Sequence, residues 1–201
     1  MKIGPRYKKA RYLGAPVFKK TQTQKFALRS ESKAKTTHRR GAKSEYGKQM
    51  LEKQKARFSY GVSSGQFTKY VKQALQSQGD NSKNLVSILE GRLDNTMVRA
   101  GFAPSQSAGR QMVSHGHITV NGTKLTVPSY QVRVGDLIKV REGSAGKKIF
   151  SNLDESLKAT KIPAWLGIDE KTKEIKILAT PSAETSELLF DVKAVLEFYT
   201  R

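Results

Sequence analysis

The sequence predicts an α+β protein in which helices come first, short strands follow and a helix closes the chain. Three observations carry this. Apolar residues recur at helical spacing between residues 44 and 113. From Ile118 they alternate at period two, around an Asn121-Gly122 pair of the kind that turns a two-residue hairpin. Helical spacing returns at Leu188, Val192, Val195, Leu196 and Tyr199. With 201 residues, the chain has room for one large domain or two small ones.

Residues 1–43 are basic and poor in large aliphatic side chains. Gly4-Pro5-Arg6, then Lys8, Lys9, Arg11 and Gly14, spaces cations along a chain that Pro5 stiffens. Composition alone fits a solvated basic tail. The functional alternative is an arm that takes up structure only on a polyanion. Residues 44–60, SEYGKQMLEKQKARFSY, read as a helix capped by Ser44. Tyr46, Met50, Leu51 and Phe58 lie along one side of it, and Lys48, Lys53, Lys55 and Arg57 take the remainder. In residues 64–77, Phe67, Tyr70, Val71, Ala74 and Leu75 follow the i, i+3, i+4, i+7, i+8 pattern. At that spacing the aromatics are core, not a base-stacking surface. Gln78-Gly79-Asp80-Asn81 forms a loop.

The next helix starts near Ser82 or Asn84, with Leu85, Leu89, Leu93 and Met97 on one face beside Val86 and Ala100, and Gly101 ends it. Pro104 follows, Ser105 caps a second helix, and Ala108, Met112 and Val113 face inward. Gly116 closes that helix. Ile118 to Val120 is a strand, Asn121-Gly122 its turn, and Val132 to Val140 another strand with a turn at Gly135-Asp136. Cations and polar groups gather at the ends of these elements: Arg92, Arg99, Ser105, Arg110, His115, His117, Asn121 and Lys124. Such an array suits a phosphate backbone.

Residues 141–150, REGSAGKKIF, suggest a phosphate loop but lack its glycine spacing and the Ser or Thr after Lys, so a basic hairpin loop is expected. A short helix around Leu153 to Leu157 and two strands, near Trp165–Ile168 and Glu174–Leu178, complete the pattern, with Trp165 as a core anchor.

Net charge is +20, which points to a polyanionic partner, nucleic acid before an anionic membrane. Residues 1–60 are the most basic, residues 61–150 less so, and residues 151–201 slightly acidic, so the polyanion meets the first two-thirds. There is no cysteine, which excludes disulfides and thiolate metal sites. No long apolar run or secretory leader is visible, so no membrane partner is expected and a cytoplasmic setting is the default. His115-x-His117 has the wrong spacing for a shared helical face and no nearby Cys or Glu, so no metal site and no cofactor are expected. Asp94 could serve as a general base, but the better reading is that it accepts from a neighbouring arginine and fixes its direction. No nucleophile elbow or dinucleotide turn occurs, so the chain does not read as an enzyme.

The stretches LEGRLDN, R-x-G-F, RQ-x-VSHGHI-x-VNG and SYQV-x-x-GD resemble the RNA-binding module of the family of ribosomal small-subunit protein four. The likeness extends outward. IGPRYKKARYLG is similar to that family's opening, EYG with LEKQK-x-R and YGV to its helical lobe, and LLFDVKAVLEFYTR to its closing segment. The resemblance implies a mostly helical N-terminal lobe with the C-terminal segment packed on it, and an inserted helix-turn-helix-plus-β RNA-binding module. The implied division is a basic arm over 1–43, a helical lobe over 44–83 joined by 188–201, and the module with its β extension over 84–187. Two departures stand out. Residues 21–43 hold neither the family's Pro-Gly-x-His-Gly-like turn nor its cysteine zinc knot, though Arg39, Arg40 and Lys43 remain. Gln106 stands where the family usually has Arg.

The resemblance further implies a structural constituent of the small ribosomal subunit, in the cytoplasm or in an organelle. It would bind the five-prime domain of the small-subunit ribosomal RNA, nucleate assembly, adjoin protein five and influence decoding accuracy, near the channel where messenger RNA enters. The residues expected to hold RNA are Arg6, Lys8, Lys9, Arg11, Arg39, Arg40, Lys43, Lys53, Lys55, Arg57, Arg92, Arg99, Ser105, Arg110, His115, His117, Asn121 and Lys124. The same module also occurs in pseudouridine synthases, some aminoacyl-tRNA synthetases and stand-alone stress factors. The alternatives are therefore an RNA-modifying enzyme subunit and a stress factor.

Overall fold

The computed structural model describes residues 3–36, 44–151, 153–169, 172–183 and 187–200. It contains two compact units, residues 1–85 with 184–201, and residues 86–183.

In the first unit, α1 (Arg6–Leu13) begins after Pro5 and ends at Gly14, whose φ of 69° is the left-handed turn that glycine adopts without cost. A 3₁₀ turn at Lys19–Thr21 leads to α2 (Gln24–Thr36). The basic stretch expected as an arm is thus folded over its described part. Ala10, Leu13, Ala15, Val17 and Phe18 form a core with Leu51 and Phe58, against which Ile3 and Phe26 pack. These small and scattered apolar residues lack a long periodic run, which is why composition alone reads as a tail. Leu51 and Phe58 come from α3 (Glu45–Ser59), capped as expected by Ser44, whose hydroxyl accepts from the Gly47 amide at 3.2 Å. Its Tyr46 and Met50 are exposed, whereas Gln49 is buried. α4 (Ser64–Gln76) buries Phe67, Tyr70, Val71 and Ala74.

The closing helix, α10 (Val192–Thr200), lies along α3. Gln49 donates to Glu197 at 3.0 Å, Glu52 accepts from the Asp191 amide at 2.9 Å, and the Tyr46 and Phe198 rings stand 5.4 Å apart. On α4, the Thr68 and Tyr199 hydroxyls share a hydrogen bond of 3.2 Å.

Where the sequence predicts one helix from Ser82 to Ala100, the structure has two, α5 (Asn81–Glu90) and α6 (Leu93–Arg99). At the break, the Leu93 and Asp94 amides donate to the carbonyls of Tyr130 and Pro128, and Gly91 accepts from Val132. The backbone here pairs with another segment instead of with its own preceding turn. Leu85, Leu89, Leu93 and Met97 are all buried nonetheless, so the apolar period runs on through the break.

The second unit's core joins α6 and α7 (Gln106–Ser114) to one face of an antiparallel sheet. Its strands are β1 (Ile118–Val120), β2 (Thr123–Leu125), β3 (Leu137–Val140), β4 (Leu166–Asp169) and β5 (Glu174–Ile177), in the order β2-β1-β3-β5-β4. Val120 pairs with Thr123 across Asn121 and Gly122, both at positive φ, the signature of a two-residue hairpin. The strand expected over Val132–Val140 is confined to β3. The loop expected over 141–150 is instead a helical turn, α8 (Glu142–Ala145), and a 3₁₀ turn at Lys148–Phe150, with the Phe150 ring in the core. α9 (Leu153–Ala159) follows, and Trp165 is buried, as expected of a core anchor.

Candidate nucleic-acid interface

Two carboxylates organise the helical part of the second unit. Asp94 has no exposed surface, because α6 and α7 meet over it. Gly109 makes this closeness available: a Cβ there would stand 2.5 Å from the Asp94 carbonyl oxygen. Arg92 donates from Nε to Asp94 Oδ1 at 2.9 Å and from Nη2 to Oδ2 at 2.8 Å. Arg110 reaches the same Oδ2 from Nε at 3.0 Å and Nη2 at 2.7 Å. Asp94 therefore fixes the neighbouring arginine, as expected from the sequence, and a second one from α7 as well. Glu90 is equally enclosed and holds Arg99 through Nε at 2.8 Å and Nη2 at 2.7 Å. Asn95 donates to Glu90 at 2.7 Å and accepts from Gln106. The residue standing where the family usually carries Arg is thereby tied into this network.

Of the residues expected at an RNA surface, Arg92 and His117 are buried, Ser105 is half-buried and Asn121 is exposed, and each is engaged within the fold. Arg92 is buried with Asp94, turned inward by a helix break that no local pattern marks. His117 is buried as well. Its Nδ1 shares a 3.0 Å hydrogen bond with Ser144 Oγ, and its carbonyl accepts from the Arg141 amide. Burial lowers its pKa below the ordinary 6.5, and the nearby charges of Lys147, His115 and Arg141 lower it further. Ser105 caps α7 by accepting from the Ala108 amide at 3.4 Å. Asn121 donates to Asp136 at 2.9 Å and accepts from the Leu137 amide at 2.9 Å, which pins the hairpin turn to β3.

Of the residues expected to hold RNA on this unit, Lys124, which lies over Gly116, the outward parts of Arg99 and Arg110, and His115 at the C-terminal end of α7 reach solvent. Arg141 and Lys147, outside the set expected from the sequence, are brought toward His117 by α8 and its flanks. The signal was present in REGSAGKKIF, whose cations were seen but assigned to a hairpin tip.

On the first unit, Lys8 and Arg11 are exposed along α1 and Arg6 is half-buried. Lys9 lies 4.9 Å from the centre of the Phe58 ring, and Arg57 lies 4.5 Å from it. Burial lowers the Arg57 pKa from its ordinary value. Lys53 sits over Phe198 and Tyr199, at 4.3 and 4.9 Å. Lys55 pairs with Glu52 at 2.6 Å. These α3 cations thus serve the helical packing as well as the surface. Arg39, Arg40 and Lys43 lie outside the described residues. Among the described residues there is no group of three or more His, Asp or Glu able to hold a metal, and no helix long and apolar enough to cross a membrane.

A cation-rich surface resting on buried carboxylate–arginine pairs can bind a phosphate backbone, and comparison with known proteins gives this a family. Residues 1–90 match the model described as the ribosomal protein S4/S9 N-terminal domain, and residues 91–138 match the S4 domain. A protein of Heliobacterium modesticaldum is 39 % identical over 203 residues, covering 98 % of both chains. One from Borrelia recurrentis is 37 % identical over 198 residues, covering 96 % of this chain and 95 % of its own. One from Roseiflexus castenholzii is 44 % identical over 165 residues, covering 81 % and 80 %. All three are named small ribosomal subunit protein uS4, which is a structural family and not an enzymatic one. The chain belongs to the family of small ribosomal subunit protein uS4.

Proposed function

We propose that the protein is a structural constituent of the small ribosomal subunit, located in the cytoplasm. It binds the five-prime domain of the small-subunit ribosomal RNA directly and helps to nucleate subunit assembly. It adjoins protein five of the same subunit, near the path of incoming messenger RNA, and contributes to translational accuracy. The observation that carries this reading is the end-to-end likeness to relatives of that name, over 98 % of both chains in one case.

The physical basis is electrostatic. Lys8 and Arg11 on the first unit, and His115, Lys124, Arg141, Lys147 and the outward edges of Arg99 and Arg110 on the second, offer donors and charge to phosphates. A-form RNA is held through its shape and backbone because its deep major groove shuts out side chains. Arg92 and His117 support that surface from beneath, while Ser105 and Asn121 fix the helix cap and the hairpin turn that belong to it. The test is co-sedimentation of the tagged protein with ribosomal subunits, together with binding to a five-prime-domain transcript. Recovery with whole small subunits and tight transcript binding are expected. Recovery only with free transfer RNA, or with stalled large subunits, would overturn the reading in favour of a modifying enzyme subunit or a stress factor.

A further inference from the structure

Tyr7, Lys8, Arg11 and Tyr12 occupy positions i, i+1, i+4 and i+5 of α1, which is one side of a helix. All four are exposed, the two tyrosines by 51 % and 54 %. The opposite side seats Ala10 and Leu13 in the core. No acidic residue precedes Glu31 in the sequence, so nothing on α1 neutralises the face. A single exposed tyrosine needs no explanation. Two rings interleaved with two cations on one face have the composition of a surface on which single-stranded nucleic acid stacks.

Backbone contacts alone do not call for these rings. In duplex RNA the base faces are covered by their neighbours, and only hydroxyls, phosphates and groove edges are offered. Five residues separate Tyr7 from Tyr12, about 7.5 Å along the axis. That is more than twice the roughly 3.4 Å between stacked bases. Rings so spaced suit bases splayed apart, as in loops and bulges. The Tyr7 ring also stands 6.0 Å from Phe26, tilted by 42°, and Phe26 packs on the core, so a fixed neighbour limits where the ring can point.

We propose that this face of α1 binds unpaired nucleotides of an RNA, with Tyr7 and Tyr12 stacking on bases while Lys8 and Arg11 hold the adjoining phosphates. The inference rests on the RNA-binding reading and assigns it a second kind of contact, with base faces.

The experiment measures binding of the full chain, by fluorescence anisotropy at fixed salt, to a labelled RNA duplex and to a labelled unstructured single strand of equal phosphate number. Tyr7→Leu/Tyr12→Leu keeps apolar bulk against Phe26 and good helix propensity but removes both rings. It should weaken single-strand binding at least about fivefold per stacked base lost. Duplex binding should stay within about twofold. Tyr7→Phe/Tyr12→Phe keeps the rings and should bind the single strand like the parent. The proposal is overturned if the leucine variant, with its melting temperature intact, loses nothing on the single strand or loses as much on the duplex. It is also overturned if the phenylalanine variant loses as much as the leucine one. Binding of the parent to neither RNA would overturn the RNA-binding reading itself, and this proposal with it.

Discussion

Asp94 is fully enclosed, and its two oxygens take four donor bonds from Arg92 and Arg110. The two arginines are not equivalent. The Arg92 side chain is 4 % exposed and that of Arg110 is 29 % exposed. Arg92→Ala removes the more deeply buried guanidinium from the enclosed carboxylate and should cost about 3–5 kcal/mol, the range for removing one partner of a buried pair. Arg110→Ala leaves both Arg92 bonds in place and should cost about 1–2 kcal/mol. Urea unfolding of the two variants checks the order, and a larger loss for Arg110→Ala would mean that α7, not the helix break, anchors the carboxylate. At this scale the sequence was legible in kind but not in direction. LEGRLDN shows an arginine beside an aspartate, and the spacing of helix ends suggested cations facing out. The inward turn of Arg92 depends on bonds from Leu93 and Asp94 to a segment near residue 130, and no local pattern encodes those.

Elements were legible where a strong period or a turn pair defined them. α4, the Ser105-capped α7 and the Asn121-Gly122 hairpin needed only local information. The 141–150 segment did not follow its local signals, because His117 and Phe150 hold it from the core side. That gives a pH prediction. The folded-state pKa of His117 lies below its ordinary 6.5, so the unfolded chain takes up a proton first as pH falls. Stability of the second unit should therefore decline as pH falls through about 6.5 toward the lowered value, and that contribution should level off below it. His117→Gln, which can still bond Ser144, should flatten this part of the dependence, read as thermal midpoints across that range. An unchanged slope would clear His117 of the role. The α6–α7 contact gives another prediction. Gly109→Ala forces a Cβ against the Asp94 carbonyl and should destabilise the unit by about 1–3 kcal/mol without changing its charge. Calorimetric melting would show it, and a midpoint equal to the parent's would mean the helices can separate freely.

For the whole molecule, the net charge of +20 concentrated in the first two-thirds of the chain was plain from composition. It sets the strongest bulk expectation. If about six to ten phosphates are neutralised, affinity for a five-prime-domain transcript should fall about 10³–10⁵-fold between roughly 50 and 200 mM salt, taking duplex DNA as the guide. A log–log plot of affinity against salt that stays nearly flat would remove the electrostatic account. The folded state of residues 3–36 was not legible. The core there is assembled from single residues on separate segments, such as Ala10, Val17, Leu51 and Phe58, and such a core has no period to read.

The pairing of α10 with α3 has a consequence for how the chain is made. Synthesis runs from residue 1 onward, so α3 exists well before its partner, with all of residues 86–183 emerging between them. Until then Gln49 lacks Glu197 and Lys53 lacks the Phe198 and Tyr199 rings. The contiguous second unit can close as soon as its own residues are free, whereas the first must wait for a contact of very long sequence separation. A growing chain would therefore pass through a stage with one finished unit and one open basic lobe. In that interval a nascent protein could meet RNA with its α3 surface still uncovered.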